Sequence, residues 1–374
     1  MNLPSAAAGE HVDDPLRSLR EAIDEVDARL ISLLNERAQL AIDVGQVKHS
    51  AGTPLFRPER EAEVLRRAAA LNGGPLSQDH VTNIFREVIS ACRALERPMA
   101  VAYLGPAGTF SEMAMQRQFG SSVTGLPCNT LDEVFRTTEA GSAELAIVPL
   151  ENSSEGAVSR TLDLLLATPL GMLAEVSISV EHNLFTRSGS MSGVQRVCAH
   201  AQALAQCAGW LNQHWPALER QPVASNAEGA RMASQDATTA AIAGESAARH
   251  YNVQIVAAQI QDDTHNRTRF AVLGAQASQR PAPSARNKTS LILSVPNKAG
   301  AVFHMLSPLA AHGVSMTRFE SRPARVGTWE YYFYVDVEGH VDEPKVARAL
   351  AELQQACAFY KCLGSYPAER TEAQ

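Results

Sequence analysis

Residues 16–48 read LRSLREAIDEVDARLISLLNERAQLAIDVGQVK, and no proline interrupts the chain between Pro15 and Pro54. Apolar side chains recur at Leu16, Leu19, Ile23, Val26, Leu30, Leu33, Leu40, Val44 and Val47. The steps alternate between three and four, which is the heptad seam of one long helix. At 1.5 Å per residue such a helix runs roughly 50 Å, longer than a small domain is wide. The spacing therefore predicts that it packs along a second copy of itself. Pro58 suits the first residue of a second helix. Ser77 suits the cap of a third, whose buried face reads Val81, Ile84, Phe85, Val88 and Ile89. The first hundred residues thus read as an all-α unit forming an intertwined helical dimer.

Arg37 breaks the seam where an apolar residue is due. One reading is an arginine that snorkels from the seam edge to water. The other is a buried cation that meets an anionic ligand. Lys48 lies about 20° from Arg37 around the helix and Arg20 about 100° away, at 100° per residue. One helix can in this way serve two sites, one in each half of a dimer.

This stretch, followed by RPEREAEVL at 57–65, resembles the helical chorismate mutase of the bacterial bifunctional chorismate mutase/prephenate dehydratases (P-proteins). The resemblance covers about Leu16 to Glu96, within a domain drawn at 12–97. It implies that Arg20, Arg37 and Lys48 hold the two carboxylates of chorismate and its ether oxygen. It implies that Arg60 and Glu61 form the R-E pair, with Glu61 on the substrate hydroxyl, and that Glu96 faces the ether oxygen. A Claisen rearrangement needs no nucleophile or metal, only a folded dianion and cations aimed at the oxygen that gains charge. Three positions depart from the family: Arg57 stands where some members have an acid, Cys92 where some have serine, and Glu96 where some have glutamine.

The whole chain has 374 residues, 45% hydrophobic and 20% charged, which suits two or three ordinary globular domains. The formal net charge of −7 argues against a nucleic-acid binder. No apolar run reaches membrane-spanning length, and residues 1–14 lack the pattern of a signal peptide. Six scattered cysteines, none in a C-x-x-C pair, suggest neither a zinc site nor a disulfide framework. A reduced cytoplasm fits.

Composition changes at Glu96-Arg97-Pro98. A strand at Ala100–Leu104 then runs into GPAGTFSEMAM, a glycine-rich turn that opens a helix and leaves N–H groups able to hold an anion. Residues 145–150 and 194–199 read as strands, 201–210 and 239–250 as helices. This predicts an α/β domain, 99–275. Polar clusters follow three strand positions, where open α/β sheets place ligands. They are Glu151-Asn152-Ser153, His200 to Gln206, and Asn266 to Phe270.

The ordered set GPAGTFSE, ENSSEGAV, TLDLL, HNL, AHAQALAQC, AAIAGESAA and NRTRF resembles prephenate dehydratase over about Met99 to Leu273. The resemblance implies two α/β subdomains, as in periplasmic-type binding proteins, with prephenate in the cleft. It makes Thr268 the leading catalytic residue, and Asn152, Ser153, His200 and Gln206 substrate-binding groups. Arg269 either holds a carboxylate or braces the cleft. The family's S-H-P-Q is replaced here by Ala199 and Ala201 around His200. Prephenate loses hydroxide and carbon dioxide together as its ring becomes aromatic, so no cofactor is expected. The enzyme must hold two carboxylates and assist hydroxide departure. A threonine hydroxyl can donate that bond; a protonated carboxyl or His200 is the alternative proton source.

Residues 276–288 read as a linker. Beyond it, 289–367 show strand, helix, two strands, helix and strand, the ferredoxin-like order of an α+β domain. The motifs PNKAGAV at 296–302 and ESRP at 320–323 resemble the ACT regulatory domain of prephenate dehydratases. The resemblance implies L-phenylalanine bound between paired domains by Asn297, Gly300, Ala301, Val302, Glu320, Ser321, Arg322 and Pro323. Two other readings stand beside the bifunctional enzyme. One is an amino-acid sensor that has lost catalysis, against which Arg20, Arg37, Lys48, Glu61 and Thr268 count. The other is a dehydratase that prefers arogenate, the aminated relative of prephenate.

Overall fold

A computed structural model describes residues 15–51, 56–275, 286–324 and 331–368. Most of the expected linker and the start of the strand read at 328–337 lie outside the described residues. Helix α1 (Pro15–Ala51) is unbroken over 37 residues, about 55 Å. Helix α2 (Pro58–Leu71) starts at its proline, and the Ser77 hydroxyl accepts the His80 N–H to cap α3 (Gln78–Glu96). Within one chain the seam of α1 is bare: Leu19, Val26, Leu33 and Val47 are all at least half exposed. Ile84, expected on the buried face of α3, is likewise exposed within one chain, while Ser90, Cys92 and Arg93 are buried on that helix.

The central region runs β1 (Ala100–Leu104), α4 (Phe110–Phe119), β2 (Thr124–Cys128), α5 (Leu131–Glu139), β3 (Leu145–Asn152), β4 (Gly156–Ala157), α6 (Ser159–Ala167) and β5 (Leu170–Ser179). It continues with β6 (Asn183–Thr186), β7 (Arg196–Ala199), α7 (Ala201–Gln206), α8 (Ala208–His214), β8 (Glu219–Pro222), α9 (Asn226–Gln235), β9 (Thr239–Ala243), α10 (Glu245–Tyr251), β10 (Gln254–Ala257) and β11 (Arg267–Ala275). Two sheets result, ordered β2-β1-β3-β11-β5 and β10-β6-β9-β7-β8. The chain passes between them twice, at 180–182 and 258–266. Segment 239–250, read as one helix, is strand β9 followed by α10. Thr239 to Ala243 are buried on both faces of a sheet interior, where a strand reads as an unbroken apolar run. The helix read at 201–210 is likewise two helices, α7 and α8, divided at Cys207.

The last unit comprises β12 (Asn287–Ser294), α11 (Ala301–Ala311), β13 (Met316–Pro323), β14 (Tyr331–Glu338), α12 (Pro344–Ala356) and β15 (Phe359–Pro367), in sheet order β13-β14-β12-β15. Asn287 and Lys288, expected in the linker, already pair in β12. This unit is not loosely tethered. Ile292, Tyr334, Leu363 and Tyr366 join the core that holds Leu162, Leu165 and Met172 of the central unit. The Tyr334 hydroxyl donates to Leu162 O at 2.7 Å, and Lys361 Nζ to the carbonyls of Leu165, Leu166 and Thr168. Gly364, at φ 153°, passes so close to β5 that a Cβ would collide with the Met172 carbonyl. Helix α3 docks on the turn after α4 as firmly: Glu87 accepts from Ser121, and Ser90 Oγ from the Ser122 N–H.

Candidate active sites

Two of the three polar clusters read from sequence meet where β3 ends and β11 begins. Asn152 pairs with Thr268, and Glu151 with Arg269. Asn152 Nδ2 donates to Thr268 Oγ1 and to Asn266 Oδ1, both at 2.8 Å. Its orientation is set by the network, because Oδ1 accepts the backbone N–H groups of Ser154 and Glu155 at 3.0 Å. Thr268 Oγ1 is therefore an acceptor towards Asn152, and its own hydrogen is left to donate elsewhere. Ser153 closes the turn with Arg267: its N–H donates to Arg267 O, and its Oγ accepts the Arg267 N–H. All this lies at the ends of two interior strands of the first sheet.

Across the seam, Gln206 Oε1 and His182 Nε2 are 2.8 Å apart. His182 lies on the first crossing segment, buried, with the Phe110 ring 5.6 Å away in an edge-on arrangement. Burial pushes its imidazole below the usual histidine range, the Gln206 hydrogen bond opposing. Gln206 Nε2 and His182 Nδ1 are buried without hydrogen-bond partners. His182 carried no assigned role in the sequence; its signal was the HNL triplet together with the strand break before it. His200 caps α7 instead, its Nδ1 accepting the Gln202 N–H at 3.4 Å, and its ring is exposed.

The turn before α4 brings the two subdomains together. Gly108 has φ 85°, and a Cβ there would lie 3.1 Å from Ala247 Cα, so both conformation and space ask for glycine. Its N–H is taken by Glu112 Oε2 at 2.6 Å, an oxygen that also accepts from Ser246 across the seam.

Arg269 faces away from this cluster. It donates to Glu151 at 2.8 Å, to Glu175 at 3.3 Å, and to Asp336 of β14 at 2.9 Å. These three carboxylates take up its donors, which favours the bracing reading over the carboxylate-holding one. Arg322 is likewise turned inward, with two hydrogen bonds to Asp163 Oδ1 of α6 at 2.8 and 3.1 Å. It therefore lies on the face of β13 opposite Ser321 and Pro323. Asn297, Gly300, Val302, Ser321 and Pro323 are exposed, whereas Ala301 is buried and Glu320 half-buried. Phe303 and Phe319 are exposed near them.

In the helical unit, Lys48 Nζ donates to Glu96 Oε2 at 2.9 Å. Gly45 makes room for this: its Cβ position is 3.0 Å from the Glu96 side chain. Glu61 is bound by the buried Arg93, whose second amino group donates to Phe119 O at 2.6 Å. Burial raises the Glu61 carboxyl above its ordinary range, while Arg93 and then Lys48 oppose. Glu61 and Arg93 line a cavity of about 470 Å³ shared with α4, β5 and Pro367. Arg37 is half-buried and Cys92 buried. Arg57 and Arg60 point at their own helix, towards Glu59 and Glu63. Arg20 is exposed and lies about 42 Å along α1 from Lys48, so one chain does not bring these two together.

A pair of α/β subdomains joined by two crossing segments, with a polar seam and flanked by a helical unit and a ferredoxin-like sheet, defines a class of multidomain cleft enzymes. Family models match in that order: chorismate mutase type II over residues 19–97, prephenate dehydratase over 101–278 and the ACT domain over 289–355. A bifunctional chorismate mutase/prephenate dehydratase of Neisseria gonorrhoeae is 46% identical across 95% of this chain and 98% of that protein. A solved prephenate dehydratase from Arthrobacter aurescens, in complex with L-Phe, superposes with TM-score 0.67 at 32% identity, covering 72% of this chain and 90% of that one. GqqA, described as a novel type of quorum quenching acylase, has the same TM-score and identity over 73% of this chain and 100% of that one. The chain belongs to the bifunctional chorismate mutase/prephenate dehydratase family. It is an enzyme with two catalytic domains and an ACT domain. Among the described residues no helix is long and apolar enough to cross a membrane.

Proposed function

We propose that the chain makes phenylpyruvate from chorismate in two steps, in the cytoplasm, under feedback by L-phenylalanine. The domains are those drawn at 12–97, 99–275 and 289–367. The observation that carries the dehydratase reading is the Asn152–Thr268 pair, whose geometry leaves the Thr268 hydrogen free to donate. In that step the ring carbon–oxygen bond breaks as the carboxylate's carbon–carbon electron pair enters the ring. Carbon dioxide departs, and the leaving hydroxide is stabilised by the Thr268 hydrogen bond. Asn152 holds Thr268 in that sense, while Gln206 and His182 offer unpaired polar atoms across the seam.

The mutase step uses Arg37, Lys48, Glu61 and Glu96 of one copy and Arg20 of a second. The bare seam of α1 supports a dimer along this helix, because a contiguous apolar stripe of that length is unstable in water. The exposed Phe303 and Phe319 beside the PNKAGAV and ESRP segments support pairing of ACT domains, with phenylalanine between them. Purified protein given chorismate is expected to form phenylpyruvate, seen by its absorbance in alkali, and added phenylalanine is expected to suppress it. No product would point to a sensor without catalysis. Product from arogenate alone would reassign the dehydratase substrate.

A further inference from the structure

The register that joins Asn152 to Thr268 also joins Glu151 to Arg269. Successive side chains of a strand point to opposite faces. Asn152 and Thr268 therefore look into the seam, while Glu151 and Arg269 look at the ACT sheet. Five further contacts wait on that side. Arg269 donates to Asp336 of β14 at 2.9 Å and to Glu175 of β5 at 3.3 Å. Arg318 of β13 lies 3.0 Å from the same Glu151 oxygen that Arg269 holds. Lys288 of β12 donates to Glu175 at 2.6 Å, and Ser290 Oγ to Asp336 Oδ1 at 2.6 Å.

The cluster contains three cations (Arg269, Lys288, Arg318) and three carboxylates (Glu151, Glu175, Asp336). The side chains of Glu175 and Asp336 are each only 3% exposed. Removing one partner from such a buried set strands the opposite charge, so the members keep their mutual geometry. Three ACT strands contribute to it. On β13 the inward residues alternate as Arg318, Glu320 and Arg322, and Phe319, Ser321 and Pro323 face out. The strand that carries the ESRP segment is thus clamped to the catalytic domain at Arg318–Glu151 and Arg322–Asp163.

We propose that Glu151 and Arg269 are positioning residues of the dehydratase, fixing the Asn152–Thr268 pair from behind, and that Arg318 and Asp336 make that position depend on the ACT domain. The proposal rests on Thr268 being the hydrogen-bond donor of the dehydratase. A shift of β13 or β14 reaches the reacting pair through one peptide unit on each of two paired strands. Phenylalanine binding beside Ser321 would then lower turnover by moving Thr268, with no contact between effector and cleft.

The test uses the full-length chain and two ACT-domain variants, Arg318→Met and Asp336→Asn. The quantity read is the coupling factor, the ratio of dehydratase kcat/KM without and with saturating phenylalanine. It is expected to fall to less than a third of the wild-type value in both variants. Dehydratase kcat should change more than KM, mutase turnover should be retained, and calorimetry should still detect phenylalanine. Arg318→Lys, which restores the charge, should restore part of the coupling. A wild-type coupling factor in Arg318→Met would overturn the proposal. So would loss of phenylalanine binding in that variant, which would make Arg318 an effector contact. If Asp336→Asn does not fold, the Arg318 pair of variants decides alone. Failure of the underlying reading shows separately, as dehydration that persists in Thr268→Ala.

Discussion

Asn152 Nδ2 lies 2.8 Å from Thr268 Oγ1, with the amide oxygen held by two backbone N–H groups. The direction of this bond matters more than its length. An amide donor leaves Thr268 free to donate; a carboxylate at the same place would accept the threonine hydrogen. Asn152→Asp is therefore expected to lower dehydratase kcat by about 10²-fold or more, the scale of losing one aligned donor to a developing charge. Thr268→Ser, which keeps the hydroxyl, should retain much more activity than Thr268→Ala. Equal rates for Asn152→Asp and wild type would remove this bond from the mechanism.

The proposed sites occupy different elements, α1–α3 for the mutase and the junction of β3 and β11 for the dehydratase. Arg37→Ala is expected to lower mutase turnover by 10²-fold or more, about 3 kcal/mol of transition-state stabilisation. Dehydration of added prephenate should persist. Thr268→Ala should do the reverse. Loss of both activities in either folded variant would contradict two separate sites.

Much of this was legible in the sequence, for physical reasons. The heptad spacing from Leu16 to Val47 needed only one helix to be read, the GPAG and ENSS segments lie where strands end, and NRTRF lies where β11 begins. The sequence was mute where a side chain's role depends on which face its strand presents. Arg269 follows Thr268 directly, yet it faces the ACT domain, because alternation along β11 separates neighbours. Burial of β9 misled for a related reason: Ala240 to Ala243 carry no period when both faces are covered. Arg93 gave no signal, since its partners Glu61 and Phe119 O come from two other elements.

His182 gives the dehydratase domain a dependence on acid. An unfolded imidazole takes up its proton near pH 6.5. Burial lowers that tendency in the folded chain, with Gln206 opposing. Stability from the buried neutral ring is thus present above pH 6.5 and is lost as pH falls towards the lowered folded value. Melting temperature should drop between pH 7.5 and 5, and His182→Gln, if folded, should drop less. Parallel curves for the two proteins would show that His182 does not titrate in this way.

The shared core changes what truncation can show. A chain ending at Ala275 loses Ile292, Tyr334, Leu363 and Tyr366 from the core around Leu162 and Met172. It is expected to melt well below the full chain or to aggregate, and not to persist as an uninhibited dehydratase. Differential scanning calorimetry checks this, and an unchanged melting temperature would mean that the two domains do not stabilise one another. The effector site is better tested at exposed positions: Asn297→Ala should weaken phenylalanine binding in calorimetry while basal dehydration continues.

Glu96 sits against Lys48 with its side chain 12% exposed, so it does not simply end α3 in solvent. In the proposed mutase site both groups approach the ether oxygen of chorismate. That oxygen gains negative charge as its bond to carbon breaks and is stabilised by hydrogen-bond donors. A carboxylate only accepts, and here it also occupies the Lys48 ammonium. The amide of Glu96→Gln can donate and leaves the lysine free to turn to the substrate. Glu96→Gln is therefore expected to raise mutase kcat/KM above the wild type. The measurement is kcat/KM for chorismate in both proteins, with dehydratase activity as the internal control. Equal mutase values would place Glu96 away from the ether oxygen and leave Lys48 as the donor there.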